Sequence, residues 1–241
     1  MAARTDKATD QDLVADLLLA RRGQAFYNRA LKQAGDKELD DPSLVPGWSR
    51  RRLIAQVALN ARDMALLADD AENGSSTLVT SEARVNSEAA FASTLPPQSL
   101  RNLSEHAAVH LSVAWRDLRD DRWSLAVQRD NDAVTLKAMV WLRAREVWLR
   151  ALDLNTGLSF SSLPRQFVSR ILSDLSEDSV LTAQVRQDPT IMSCLDVQSV
   201  SADEGAHQRQ RSAYELAKWA SGRGVFTGSN GRVLSERRLW V

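Results

Sequence analysis

Arg143-Ala144-Arg145-Glu146-Val147-Trp148-Leu149-Arg150-Ala151-Leu152-Asp153-Leu154 is the stretch on which the reading of the fold turns. Its pattern predicts the second half of a helix that begins near Thr135. Residues three and four apart lie one above the other on a helix, so Arg143, Glu146, Arg150 and Asp153 form one charged stripe. The other faces carry Leu136, Met139, Val140, Trp141, Leu142, Val147, Trp148, Leu152 and Leu154. A helix this apolar belongs inside the protein. Two readings of the stripe stay open: an exposed face stabilised by ion pairs along the helix, or a set of charges that face one another or a pocket.

Working outward, three more long helices share this period. Asp10 or Asp12 can cap a helix to about Ala34, with Leu13, Leu17, Phe26, Tyr27 and Leu31 inside and Gly35 as its stop. A loop through Pro42 and Leu44-Val45-Pro46-Gly47-Trp48 leads to Ser49, placed to cap a helix from about Arg50 to Glu72. Its first turn holds Arg50, Arg51 and Arg52. A helix N-terminus carries partial positive charge, so three arginines there call for carboxylates or a bound anion. Asn73 to Val85 reads as a polar loop and a candidate lid, with a short helix after it, and Pro96-Pro97 open a helix to about Arg119. Trp123 to Ala133 fits a connection or a small hairpin. Four helices of this length imply a bundle.

After Gly157 the period changes. Leu163-Pro164 opens an amphipathic helix, Val180 to Val185 alternates like a strand, and Ile191 to Val200 is read as another strand. A helix from about Ser212 to Ala220 ends at Ser221-Gly222-Arg223-Gly224, and Val233 to Val241 reads as a tail docking through Leu239 and Trp240. The fold class expected is therefore α+β, mostly α: a four-helix bundle over residues 1–157 and a small α/β domain over 158–241.

Composition narrows the function. The 241 residues are 44% hydrophobic, enough for a sizeable core, and 31 basic side chains balance 31 acidic ones. Such a balance gives no global field for nucleic acid or an anionic membrane. No stretch approaches the roughly 18 apolar residues of a membrane span, and the polar N-terminus lacks the apolar core of a signal peptide, so a cytoplasmic protein is expected. Cys194, the single cysteine, excludes an internal disulfide and a CxxC pair, and its neighbours offer nothing to activate it. His106 and His110 stand four apart, but HAAVH has no acidic residue after the first histidine, so the spacing alone is a weak metal signal. The tryptophans, Trp48 among them, read as packing anchors.

Three motifs carry a resemblance that spans nearly the whole chain: PGWSRRRLIAQVA from Pro46, RAREVWLRALDL from Arg143 and WASGRG from Trp219. In order and spacing they resemble the mycothiol-dependent maleylpyruvate isomerase family. The resemblance implies a DinB-like four-helix bundle followed by a small α/β domain. It also implies a cytoplasmic actinobacterial enzyme that uses the thiol mycothiol and a zinc ion held by two histidines and a glutamate. In the family reaction a thiolate adds to a cis double bond, the bond rotates, and elimination gives the trans isomer.

This sequence departs from that pattern at the metal. Where the family places its two ligand histidines stand Arg52 and Arg150, and only Glu146 remains. A guanidinium offers no lone pair to zinc, so no metal is expected here. The two guanidiniums and one carboxylate keep the net charge of the zinc site they replace. The candidate catalytic residues are therefore Arg52, Glu146 and Arg150, with Glu146 expected to bridge the arginines, and the candidate substrate-binding residues are Arg223 and Asp153. Three functions stay open: an enzyme acting on a small anionic substrate in a metal-free pocket, a non-catalytic ligand-binding or regulatory module, and a mycothiol-dependent isomerase or transferase that uses arginines in place of zinc. The partner in each case is a small anion or a thiol cofactor. A staple between two helices is the plain structural alternative.

Overall fold

The computed structural model describes residues 5–75, 77–177, 188–195, 206–228, 231 and 233–234, with the backbone alone for 206–209. These residues fall into two compact units, 1–158 and 159–241.

In the first unit, α1 (Gln11–Gln33), α2 (Arg50–Glu72), α4 (Pro97–Asp117) and α5 (Leu136–Asp153) are the long helices, and α3 (Glu82–Ala92) lies against α2. Their starts follow from local chemistry. The side chains of Asp10, Ser49 and Thr135 accept the backbone N–H of Leu13, Arg52 and Ala138, and Pro97 opens α4. α1 packs mainly on α5, and α2 mainly on α4. Tyr27, Leu13, Leu17, Leu53, Ile54, Leu100 and Leu136 are among the side chains removed from solvent, each aliphatic one contributing about 1.5–3 kcal/mol.

α1 and α5 approach most closely at Gly23. A Cβ built there would meet Val147 Cγ2 at 2.7 Å and the Trp148 ring at 2.8 Å. Gly23→Ala should therefore destabilise the bundle by about 1–3 kcal/mol despite alanine's better helix propensity, read as a lower urea midpoint at unchanged slope.

A small sheet accompanies the helices. β2 (Ala126–Arg129) and β3 (Asp132–Thr135) form the expected hairpin, turning through Asp130 at φ 48°, and β1 (Leu78–Thr80) pairs parallel to β2 with Leu78 opposite Val127. The stretch read as a loop over residues 73–85 contains β1 and the start of α3, and the short helix read after it is the rest of α3. The Asp63 carboxylate of α2, largely buried, accepts from Thr80 Oγ1 and from the Arg84 guanidinium and so ties both to the bundle.

The second unit contains α6 (Arg165–Glu177), α7 (Pro189–Leu195), α8 (Ala206–Ala220) and an antiparallel pair, β4 (Phe226–Thr227) with β5 (Val233–Leu234). Mixed α and β content is what the change of period implied. The strand read from Ile191 is a correction: residues 191–195 are helical, following Pro189, and 196–200 lie outside the described residues. Cys194 therefore sits on a helix, buried, and burial pushes its thiol up to about 11, as an inert thiol requires. The strand read over Val180 to Val185 and the tail at Leu239 and Trp240 also lie outside the described residues.

Candidate functional site: an arginine-rich interior between α1, α2 and α5

The turn before α2 sets the site. Val45-Pro46-Gly47-Trp48 is a tight turn with Gly47 at φ +77° and Trp48 N–H donating to Val45 O at 3.1 Å, a conformation that Pro followed by Gly favours. Leu44 N–H donates to Asp153 O at 2.8 Å, which fastens this loop to the end of α5. Trp48 is thereby presented between two helices. The Arg52 guanidinium lies 5.0 Å from its ring centre, and that of Arg150 lies 5.5 Å from it. Trp48, read from sequence as a packing anchor, is half-buried and carries two cations instead.

The three arginines of the first turn meet different fates. Arg50 donates to Glu38 O and Asn155 O and pairs with Asp41 at 3.5 Å, while Arg51 pairs with Asp40 and donates to Leu95 O. These carboxylates offset the opposing helix dipole. Among the described residues no carboxylate meets Arg52. Its guanidinium lies over the Trp48 ring, its Nη1 is buried without a hydrogen bond to those residues, and burial lowers its hold on its proton.

The charged stripe of α5 is buried, which settles the choice between the exposed and interior readings. Arg143 and Asp153 are 2% and 1% exposed, and Arg150 is 8% exposed. The stripe resolves into two ion pairs along the helix: Arg143 with Glu146 at 2.8 Å and Arg150 with Asp153 at 3.1 Å. Glu146 thus pairs with Arg143 rather than bridging Arg52 and Arg150 as expected. Arg143 and Arg150 both lie one turn from Glu146, but Arg150 is paired with Asp153 and, like Arg52, is held over Trp48. Arg143 also donates to Val57 O at 2.8 Å, to Asn60 Oδ1 at 3.2 Å and to Gln24 Oε1 at 2.8 Å, so one side chain joins three helices.

These contacts fix the levels of the helices. α5 rises parallel to α1, Lys137 meeting Asp10 and Arg143 meeting Gln24, and runs antiparallel to α2, with Arg143 beside Val57 and Arg150 sharing Trp48 with Arg52. Gln56, between Arg52 and Asn60, falls level with Glu146. Its Oε1 is buried without a hydrogen-bond partner. Tyr27 is fully removed from solvent. Burial raises the phenol's pKa, Arg143, Glu146 and Arg150 all act on it, and a hydrogen bond with Ser104 opposes the rise.

Burial also raises the Glu146 carboxyl above its ordinary value of 4.5, while Arg143, Arg150 and Arg129 pull it back. A carboxyl that holds its proton more tightly when folded stabilises the fold at low pH, and that contribution is lost as pH rises from 4.5 through the folded value. Glu146→Gln should therefore gain stability relative to the parent as pH rises from about 4 to 7. Urea unfolding across that range checks it, and a constant difference contradicts it.

Of the sequence candidates, Arg52 and Arg150 meet at Trp48, Glu146 stands one turn from Arg150, and Asp153 is the ion partner of Arg150. Arg223 lies in the second unit, where it donates to Ser221 O at 2.6 Å. Tyr27 and Gln56 escaped the sequence reading of the site, and Arg143 was read as part of the charged stripe of α5 but not as one of the site candidates. Among the described residues no three His, Cys, Asp or Glu side chains gather into a possible metal shell. Guanidinium groups at two positions and a carboxylate already paired with Arg143 do not fit tetrahedral zinc. No described helix is long and apolar enough to cross a membrane. A cleft of about 520 Å³ elsewhere on the first unit has its arginines matched, Arg21 by Asp6 and Arg116 by Asp117.

Residues 20–155 match the model of the mycothiol maleylpyruvate isomerase N-terminal domain. Two solved structures resemble the chain over 93% of its length and 96% of theirs. One is the crystal structure of the mycothiol-dependent maleylpyruvate isomerase, at 30% identity and a TM-score of 0.73. The other, of a histidine-to-alanine mutant of that enzyme, gives 31% and 0.74. None of the curated proteins compared matches the sequence. Fold, family model and identity over nearly the full length agree: the chain belongs to the mycothiol-dependent maleylpyruvate isomerase family.

Proposed function

We propose that this family member binds, and acts on, a small anionic substrate in a metal-free pocket between α1, α2 and α5. The observation that supports the reading is Arg52. A buried guanidinium N–H left without an acceptor costs about 1–3 kcal/mol or more, and Arg150 stands across the same indole ring. An anionic oxygen at Arg52 Nη1 removes that cost and balances the two cations. Arg150, already tied to Asp153, sets the field, and Arg52 makes the contact. A thiolate answers the same cation, since a nearby positive charge lowers a thiol's pKa. A thiol cofactor of the kind named for the relatives is therefore a second candidate occupant.

Calorimetric titration with succinate tests the reading. Binding should weaken at least about tenfold in Arg52→Met, the loss of one charge-assisted hydrogen bond. Equal binding to both proteins contradicts it.

A further inference from the structure

Resting on that reading, an unpartnered atom beside Arg52 describes the substrate more closely. We propose that the ligand is a small hydroxycarboxylate, whose hydroxyl is bound by Gln56 while its carboxylate is bound by Arg52. Two buried polar atoms of α2 lack hydrogen-bond partners among the described residues: Arg52 Nη1 and Gln56 Oε1. Arg52 is a donor. Gln56 Oε1 is an acceptor, one helical turn further along α2 on the same face.

A plain carboxylate consists of acceptors only. It satisfies Arg52 and leaves Gln56 Oε1 without a donor. A hydroxyl on the carbon chain donates, so it answers Gln56 Oε1, and a methylene does not. An ammonium group would also donate to Gln56, but Glu146 and Asp153 offset only Arg143 and Arg150, and the charge of Arg52 is left to repel it. The pocket's unmet demand is thus one anion and one neutral hydroxyl. A site built to bind a hydroxyl discriminates strongly against the analogue without it, since the buried groups are then left unpaired.

Four titrations into the wild-type protein, with malate, succinate, lactate and propionate, test this, together with malate and succinate into Gln56→Leu and Arg52→Met. Malate should bind at least about tenfold more tightly than succinate, and lactate more tightly than propionate, one hydrogen bond to a buried group being worth about that ratio. In Gln56→Leu the malate preference should fall toward equality. In Arg52→Met all affinities should drop. Equal binding of malate and succinate to the wild type, still sensitive to Arg52→Met, overturns the hydroxyl assignment and leaves the anion reading standing. Binding indifferent to Arg52→Met, or no binding of any of the four acids, overturns both. The wild-type ratio stands as a test even if Gln56→Leu folds poorly.

Discussion

Arg143→Met is expected to cost the bundle about 3–5 kcal/mol, the penalty for leaving a buried charge without its partner. The side chain is almost fully enclosed, and its two terminal nitrogens reach Val57 O, Asn60, Glu146 and Gln24. Removing it orphans a backbone carbonyl, two amide oxygens and a carboxylate at once. Methionine keeps most of the volume, so the loss reports the polar contacts rather than a cavity. The pair effect is diagnostic: Arg143→Met with Glu146→Leu should recover part of the loss, because the orphaned carboxylate is gone. Urea unfolding at neutral pH measures both. A single-variant loss below about 1 kcal/mol would show that Arg143 is not the polar centre of the bundle.

Arg52→His with Arg150→His is expected to create zinc affinity where the parent has little. The two positions face the same indole, and Glu146 lies one turn from Arg150, so two imidazoles and a carboxylate would stand within one small region. Two of the bulky cations are removed and two neutral ligands with lone pairs take their place. The gain should exceed about a hundredfold in zinc dissociation constant, since a third ligand set is completed rather than adjusted. Competition with a chromophoric chelator measures it. Glu146 must leave Arg143 to join, so adding Arg143→Gln should strengthen zinc binding further, and its failure to do so would mean that the carboxylate is held elsewhere.

Much of the bundle was legible because its signals are local. Asp10, Ser49 and Thr135 cap the helices that follow them, Pro97 opens α4, and the apolar period of each long helix names the side chains that are buried. β1 was not legible, because its partner Val127 is remote in sequence and three residues leave no measurable alternation. α3 was read only as a short helix after the loop, its start missed for a related reason: its buried positions are Val85, Ala89 and Ala92, too small to announce a face. The short run at Ile191 is the kind for which strand and helix give the same apolar pattern, and Pro189 was the cue that favoured helix.

At the site, sequence reading found the stripe but not its pairing. Spacing alone allows Glu146 to serve Arg143 or Arg150 equally, and the choice depends on Trp48, which gathers Arg150 and Arg52 over its ring. That role for Trp48 follows from the turn at Gly47 and from the Leu44 bond to Asp153, which joins residues more than a hundred positions apart. Gln56 was legible only as a member of a helix. Its importance lies in an atom without a partner among the described residues, and a missing hydrogen bond leaves no mark on a sequence.

On the proposed function Arg52 holds an anion where the resemblance places a metal ligand. Anomalous diffraction from crystals of the wild-type protein soaked in bromide tests this. A bromide peak is expected within hydrogen-bond distance of Arg52 Nη1, between α2 and α5. A zinc-edge peak beside Glu146, or no bromide at Arg52 while other arginines of the first unit bind it, would contradict it.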